Sequence, residues 1–258
     1  MNAALFKKES LELWRTSRII IAAVAFLILG LQGPILAKIL PDLIKNASPN
    51  LSGIQIIIPE QKATDALVTY FSQMSFMPIL VLILLGVGTL AAEKERGTQV
   101  LVLTKPVTRT QFILAKYFAY LGMLIGVLAL TTLAVIYDTI VLFDSSFNFG
   151  AYLMLNLTLL SYLAFLLAVI ILCSSLFKNS IAAGRVAFLA YLVISTDSRF
   201  LPNWPKYLPQ VVFDVTIPRT LLGGQGSVTD LLLPTIVGIV LAILTLTIAC
   251  YTYEQREM

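Results

Sequence analysis

Glu93-Lys94-Glu95-Arg96-Gly97-Thr98, followed by Lys105-Pro106-Val107-Thr108-Arg109 and then Lys116, lies between two long apolar segments. Each charged residue at a bilayer centre costs roughly 2.5 to 3.5 kcal/mol, so the four consecutive charges from Glu93 to Arg96 place this stretch in water or against another protein. Gly97 interrupts the charged turn, and Val100 to Leu103 supply a short apolar face. Pro106 biases Lys105 away from helix and suits the first turn of a new one. Thr108 or Thr110 is positioned to cap that helix. The pattern reads as a short surface helix, a turn at Lys105-Pro106 and a return into the membrane. The plainer alternative is a solvated basic loop that obeys the positive-inside rule.

This run resembles the cytoplasmic loop after the second span of ABC type-2 permeases. The resemblance covers about two dozen residues closely; elsewhere it rests on length, span count and loop sizes. It implies that residues 93–112 form a coupling helix seated in a cleft of a separate ATPase subunit. Glu93, Glu95 and Arg96 would then make the ionic contacts that orient the loop, and Gly97 would allow its tight turn. Val100 to Leu103 would fill the apolar part of the cleft, Pro106 and Arg109 would fix the exit into the third span, and Thr98 and Lys105 would complete the ATPase-coupling set. ATP and magnesium would sit on the partner, with two ATPase copies and a second permease copy, identical or related, completing the assembly. Export is the direction the family implies.

Of the 258 residues 58% are apolar and 12% charged, and the mean hydropathy is +0.89. Such a chain is an integral membrane protein. Runs of about 20 apolar residues are long enough to cross a core of about 30 Å as helices. The expected fold is all-α with six transmembrane helices at 19–40, 67–92, 113–142, 151–173, 182–196 and 231–253, in one permease domain. A signal peptide is the competing reading of the first run, after Lys7, Lys8, Arg15 and Arg18. The apolar stretch is too long for one and no small-residue cleavage site follows.

An interfacial helix is expected over 2–17, with Leu5, Leu11 and Trp14 on one face and Trp14 at headgroup depth. Gln32-Gly33-Pro34 reads as a kink, Pro41 to Ala66 as a polar loop, and Pro78 as a break in the second span. Gly86 and Gly88, and the Gly122-x-x-x-Gly126 pattern, mark places where helices approach closely. Asp138 is placed at the outer end of the third span. Residues 197–230, rich in proline and carrying Trp204 and Tyr207, suit short helices at the outer interface. In the resembled family that position holds re-entrant helices that help close the exit.

Counting Lys and Arg on the two sides of this arrangement fixes its orientation. Lys7, Lys8, Arg15, Arg18, Lys94, Arg96, Lys105, Arg109, Lys116, Lys178, Arg185 and Arg256 share one side, 12 of the 18. The positive-inside rule puts that side, with both termini and the 93–112 loop, in the cytoplasm of a cell whose inner membrane the protein spans.

The chain has no histidine, which removes Ser-His and Cys-His nucleophiles and His-ligated metal sites. Cys173 and Cys250 lack C-x-x-C spacing and read as small buried hydrophobes. The pI near 9.0 comes from basic loops, with no basic and aromatic surface for nucleic acid. No phosphate-loop motif is present, so any ATP hydrolysis belongs to another polypeptide. An ion-coupled carrier would keep ionisable groups at mid-depth or paired broken helices; neither stands out. A non-transporting membrane scaffold is the remaining alternative. Apolar span faces suit amphipathic or lipid-like cargo better than sugars or ions.

Overall fold

The computed structural model describes residues 3–47, 61–95, 108–143, 147–177, 179–200 and 207–255. Every regular element among them is helical. Helix α1 (Ala3–Arg15) is followed by α2 (Arg18–Ala47), α3 (Ala63–Gln73), α4 (Met77–Val87) and the short α5 (Ala91–Glu95). Then come α6 (Arg109–Leu142), α7 (Phe149–Leu176), α8 (Ser180–Phe200), a 3-10 turn at Pro209–Phe213, α9 (Thr216–Leu222), a second 3-10 turn at Val228–Leu231, and α10 (Leu232–Glu254).

Among the described residues, five stretches are long and apolar enough to cross a membrane: Arg18–Pro41, Ala63–Glu95, Arg109–Leu142, Phe149–Leu176 and Val228–Glu254. The sixth expected span lies within α8, whose apolar part, Ser180–Ser195, covers about 24 Å at 1.5 Å per residue. That is shorter than a hydrocarbon core of about 30 Å. α7 is the most enclosed of the five, and α2 and α10 are the least. α10 lies along α7, and α2 lies against α6 and α3. The faces that α2 and α10 turn outward carry Ile20, Val24, Ile28, Ile236, Ile243 and Leu244, which hydrocarbon solvates without cost.

α2 does not end at Leu40. It passes Pro34 and Pro41 and reaches Ala47, because a proline removes one bond and the ladder resumes beyond it. Gly33 is a crossing point: a Cβ there would lie 2.8 Å from the backbone nitrogen of Tyr70 on α3. Gly238 of α10 makes an equally close approach, its Cβ position falling 2.6 Å from Ser161 Oγ on α7. At Gly86 a methyl would stand 2.9 Å from Ile170 of α7. Among the described residues, a Cβ on Gly88 would meet only Ala92, and one on Gly122 or Gly126 would meet nothing within 4 Å. The last two line an apolar groove of about 410 Å³ with Phe6, Leu13 and Ile19.

The second span is broken twice, at residues 74–76 and 88–90. Pro78 stands in the first turn of α4, and the Tyr191 hydroxyl of α8 donates to the Ser75 carbonyl at 2.6 Å. At the second break, Thr89 N–H turns back to Gly86 O at 3.1 Å, and four neighbouring backbone groups find partners on other helices. The Leu85 carbonyl accepts from Tyr120 of α6 at 3.0 Å. Leu90 and Ala91 N–H both donate to Ser174 Oγ of α7, at 3.1 and 3.0 Å. The same hydroxyl donates to the Val87 carbonyl at 2.7 Å. Backbone freed inside a bilayer has to be satisfied by protein, and one serine does most of it here.

A second polar knot joins α3, α6 and α7. Asn156 Oδ1 accepts from Tyr70 at 3.0 Å and from Thr132 at 2.9 Å. Asn156 Nδ2 donates to the Tyr152 carbonyl, and the Tyr152 hydroxyl to the Thr132 carbonyl at 3.1 Å. Every member is satisfied, so the knot fixes helix register instead of loosening it.

Ser174→Ala orphans two amides and a carbonyl, each worth roughly 1–3 kcal/mol when buried without a partner. The expected result is a clearly lower unfolding midpoint in detergent than wild type. An unchanged midpoint would mean that the 88–90 break anneals into regular helix.

The candidate functional site at the base of the 93–112 loop

The described chain stops at the end of α5 and resumes at Thr108, just before α6, and the residues on both sides are fastened by charge. Lys116, about two turns into α6, is 2% exposed. Its ammonium donates to Glu93 Oε1 of α5 at 2.7 Å and to Glu9 Oε2 of α1 at 2.9 Å. It also lies 4.9 Å from the centre of the Phe112 ring, a cation–π distance. Lys8 reaches Glu9 at 2.8 Å, Glu12 at 3.2 Å and Glu93 at 3.8 Å. Carboxylate oxygens of Glu9, Glu12 and Glu93 lie within 4.8 Å of one another, and the two ammonium groups among them hold the three acids together.

Glu9 is only 3% exposed. Burial pushes its carboxyl up, but Lys116 and Lys8 beside it outweigh that and hold it below its ordinary value. Burial likewise pulls the Lys8 ammonium down, and Glu9, Glu93 and Glu12 together raise it above 10.5.

α1 is therefore docked by a stripe that includes an acid. Leu5, Glu9 and Leu13 face the bundle, whereas Leu11 and Trp14 are exposed. This corrects the expected grouping of Leu5, Leu11 and Trp14: the four-residue step from Leu5 through Glu9 to Leu13 keeps one helix face on Lys116. Trp14 stays on the outer side of α1.

The remaining contacts spread the loop base over other helices. Lys94 donates to the Ser175 carbonyl of α7 at 2.5 Å and sits 5.0 Å from the Tyr253 ring of α10. Glu95 accepts from Ser180 of α8 at 3.3 Å. On the return side, the Thr108 hydroxyl caps α6 by accepting from Gln111 N–H at 3.3 Å, as one of the two expected caps. Arg109 donates to the Glu254 carbonyl at 3.2 Å, and Thr110 bonds the Glu254 carboxylate. Arg18, at the start of α2, donates to the Tyr120 hydroxyl at 2.5 Å, and Tyr120 in turn holds the 88–90 break.

Of the expected site residues, Glu93, Glu95 and Arg109 are thus brought to one end of the bundle. Arg96, Gly97, Thr98, Lys105 and Pro106, with Val100 to Leu103, lie outside the described residues. Sequence reading did not single out Glu9, Lys8, Ser174 or Glu254 for this site. The only available signal was a charged pair inside α1 and two serines just after the apolar run that ends α7, and neither names its partner.

Residues 3–199 match the family described as ABC-2 family transporter protein. The chain belongs to the ABC-2 transporter family. It is also similar to YxlG, an uncharacterized transmembrane protein of Bacillus subtilis (strain 168), with 25% identity over 210 residues that cover 80% of each chain. An ABC-2 protein is a multi-pass membrane component of a transporter and not its catalytic subunit. The match takes in α1 through most of α8, so the ionic cluster and both breaks of the second span fall inside it.

Removing one partner from a buried ion pair costs about 3–5 kcal/mol, because the other charge stays behind. Lys116→Met is expected to lose about that much, and the Glu9→Gln/Lys116→Met double variant less than the sum of the singles, read by denaturant titration in detergent. Glu9 is held below its ordinary 4.5, so its contribution is present above that pH and is lost as pH falls through the lower folded value. Lys8 is held above its ordinary 10.5, so its contribution is complete below that and is lost at still higher pH. The cluster's contribution is expected to be level between the ordinary values of 4.5 and 10.5 and to be lost on the acid side of 4.5. In Glu9→Gln that acid limb should shrink.

Proposed function

We propose that this chain is the permease subunit of an ATP-driven exporter, and that the loop over 93–112 receives the motion of a separate ATPase. The observation that carries the reading is the fastening of the loop base. Within α5 and the start of α6, Glu93, Lys94, Glu95, Arg109 and Lys116 contact α1, α7, α8 and α10. A force on the loop is therefore delivered to most of the bundle and not to one helix. With Glu93 largely enclosed by the cluster, its part is to orient the loop from inside. Glu95 is exposed, so with Arg96 and the apolar Val100 to Leu103 it is available for the partner's cleft.

The two breaks of the second span supply joints along which such a push becomes tilt. α5 is tied to α6 through Lys116 and separated from α4 by residues 88–90, so α5 and α6 move together while α4 pivots. This is rigid-body rocking of packed helices. The cytoplasmic placement of the loop and of both termini follows from the lysine and arginine asymmetry. α8 serves as a short sixth crossing, tilted little. The segment 207–231 forms the re-entrant element at the outer end. The outward faces of α2 and α10 are covered by lipid and by a second permease copy, and two ATPase copies carry ATP and magnesium.

The test separates anchoring from docking. Glu95→Lys, and replacement of Val100 to Leu103 by serine, are expected to leave the unfolding midpoint near wild type while roughly tenfold less ATPase co-purifies, a loss of about 1.4 kcal/mol in binding. Undiminished co-purification with both variants would sink the docking role. A purified chain that moves cargo on an ion gradient without any ATPase would favour the carrier reading.

A further inference from the structure

One polar side chain, far from the loop base, has no use in the fold. The backbone N–H of Asn148, at the start of α7, donates to the Leu222 carbonyl at 2.9 Å. Further along α7, the Tyr162 ring meets Phe213 of the 3-10 turn at 5.2 Å between centroids. Pro209 lies beside Gly238, where α10 touches Ser161. From Asn148 to Tyr162, α7 rises about 20 Å. The chain between Leu222 and Pro209 thus reaches the middle of a 28-residue helix. The turn pairs some of its own backbone there, Val211 with Leu208 at 3.0 Å and Asp214 with Val211 at 3.1 Å.

Gln210 rides on this turn and is 8% exposed. Both its Nε2 and its Oε1 are shut off from the surface, and neither has a hydrogen-bond partner among the described residues. Tyr70, Thr132 and Asn156, buried on the same bundle, are all satisfied. Among the described residues, no other side chain leaves two enclosed polar atoms bare, which marks this amide as a group awaiting a partner. Gln210 lines a cavity of about 110 Å³ between α8 and α10, over α7, with Tyr162, Phe165, Ile194 and Leu241.

We propose that this cavity is a subsite for the uncharged amide or hydroxyl end of an otherwise apolar molecule, with Gln210 as its hydrogen-bonding residue. The proposal rests on the transport reading, since it names the chemistry of the cargo. A primary amide offers two donors and an acceptor, so a neutral group able both to give and to accept a proton bond uses it fully. A carboxylate uses only the donors, and among the described residues no cation lines the cavity to balance it. The other lining side chains are aliphatic or aromatic, Tyr162 alone among them carrying a hydroxyl. Since a water molecule takes about 30 Å³ in the liquid, the space fits a small polar end and the first carbons behind it.

The test uses the full chain in detergent with octanamide as the probe and octanoate as the charged control. Octanamide is expected to raise the thermal midpoint of wild type by several degrees more than octanoate does. Gln210→Met, close in volume and without a hydrogen-bonding amide, is expected to raise the ligand-free midpoint and to abolish the octanamide increment. Equal octanamide increments in both chains, or a lower ligand-free midpoint in the variant, would overturn the subsite. Should the variant not fold, a diazirine-bearing octanamide answers on wild type. Labelling at 158–165 or 208–213 that octanamide suppresses and octanoate does not supports the proposal; labelling spread over the lipid-facing helices overturns it. Octanamide protection without ATPase co-purification removes the transport reading alone, and co-purification without protection removes the subsite alone.

Discussion

A lysine ammonium enclosed by protein, with one carboxylate from α1 and another from α5 against it, is the constraint on which the rest of the structure depends. Lys116 is 2% exposed and touches Glu9 and Glu93 at 2.9 and 2.7 Å. Bringing these charges out of water is costly, and a buried pair seldom stabilises more than an apolar replacement would. What the cluster does supply is position. α1 is short and amphipathic, and Glu9 is its one buried charge among the described residues, so Glu9 decides which face it presents. α5 is five residues long and holds its place through Glu93 and Lys94. The start of α6 is thereby joined to the end of the second span across the whole intervening loop.

The second span is interrupted beside this junction. A continuous helix over residues 63–95 would transmit a push along its axis but would resist bending. Two breaks divide it, and the groups they free are taken up by Tyr191, Tyr120 and Ser174 from three different helices. Because neighbours satisfy the joints, bending at 88–90 need not expose backbone to hydrocarbon. Gly86, pressed on Ile170, keeps α4 close enough to α7 for Ser174 to reach across. The polar knot at Asn156, by contrast, ties α3, α6 and α7 rigidly at the other end. The bundle thus has a fixed end and a jointed end, and the loop is attached at the jointed one.

The chain between α8 and α10 adds a third kind of element. Irregular backbone at membrane depth is tolerated where protein covers it, and the turn at Pro209–Phe213 is covered by α7 and α10 through the close approach at Gly238. Its side chains determine what it does beyond filling space. Phe213 and Val212 are satisfied by packing, and Gln210 is not.

Composition and apolar run length determined by themselves that this is an all-helical membrane protein and where most of its spans lie, because hydrocarbon admits little else. The charge run at 93–96 is barred from hydrocarbon for the same reason. Thr108 and Pro78 were legible too, since capping and helix breaking are local effects. What only the tertiary structure decided is which charges turn inward. Glu9 and Lys116 are 107 residues apart, and nothing in α1 distinguishes the acid that meets Lys116 from Glu12 one turn later. Helical spacing grouped Leu5 with Leu11 and Trp14 on an interfacial face, but the face that meets the bundle is Leu5, Glu9 and Leu13, because Glu9 has its partner elsewhere in the chain. Ser174 and Gln210 were equally silent: a hydroxyl or an amide in an apolar run acquires its meaning from the groups that folding brings, or fails to bring, within hydrogen-bond reach.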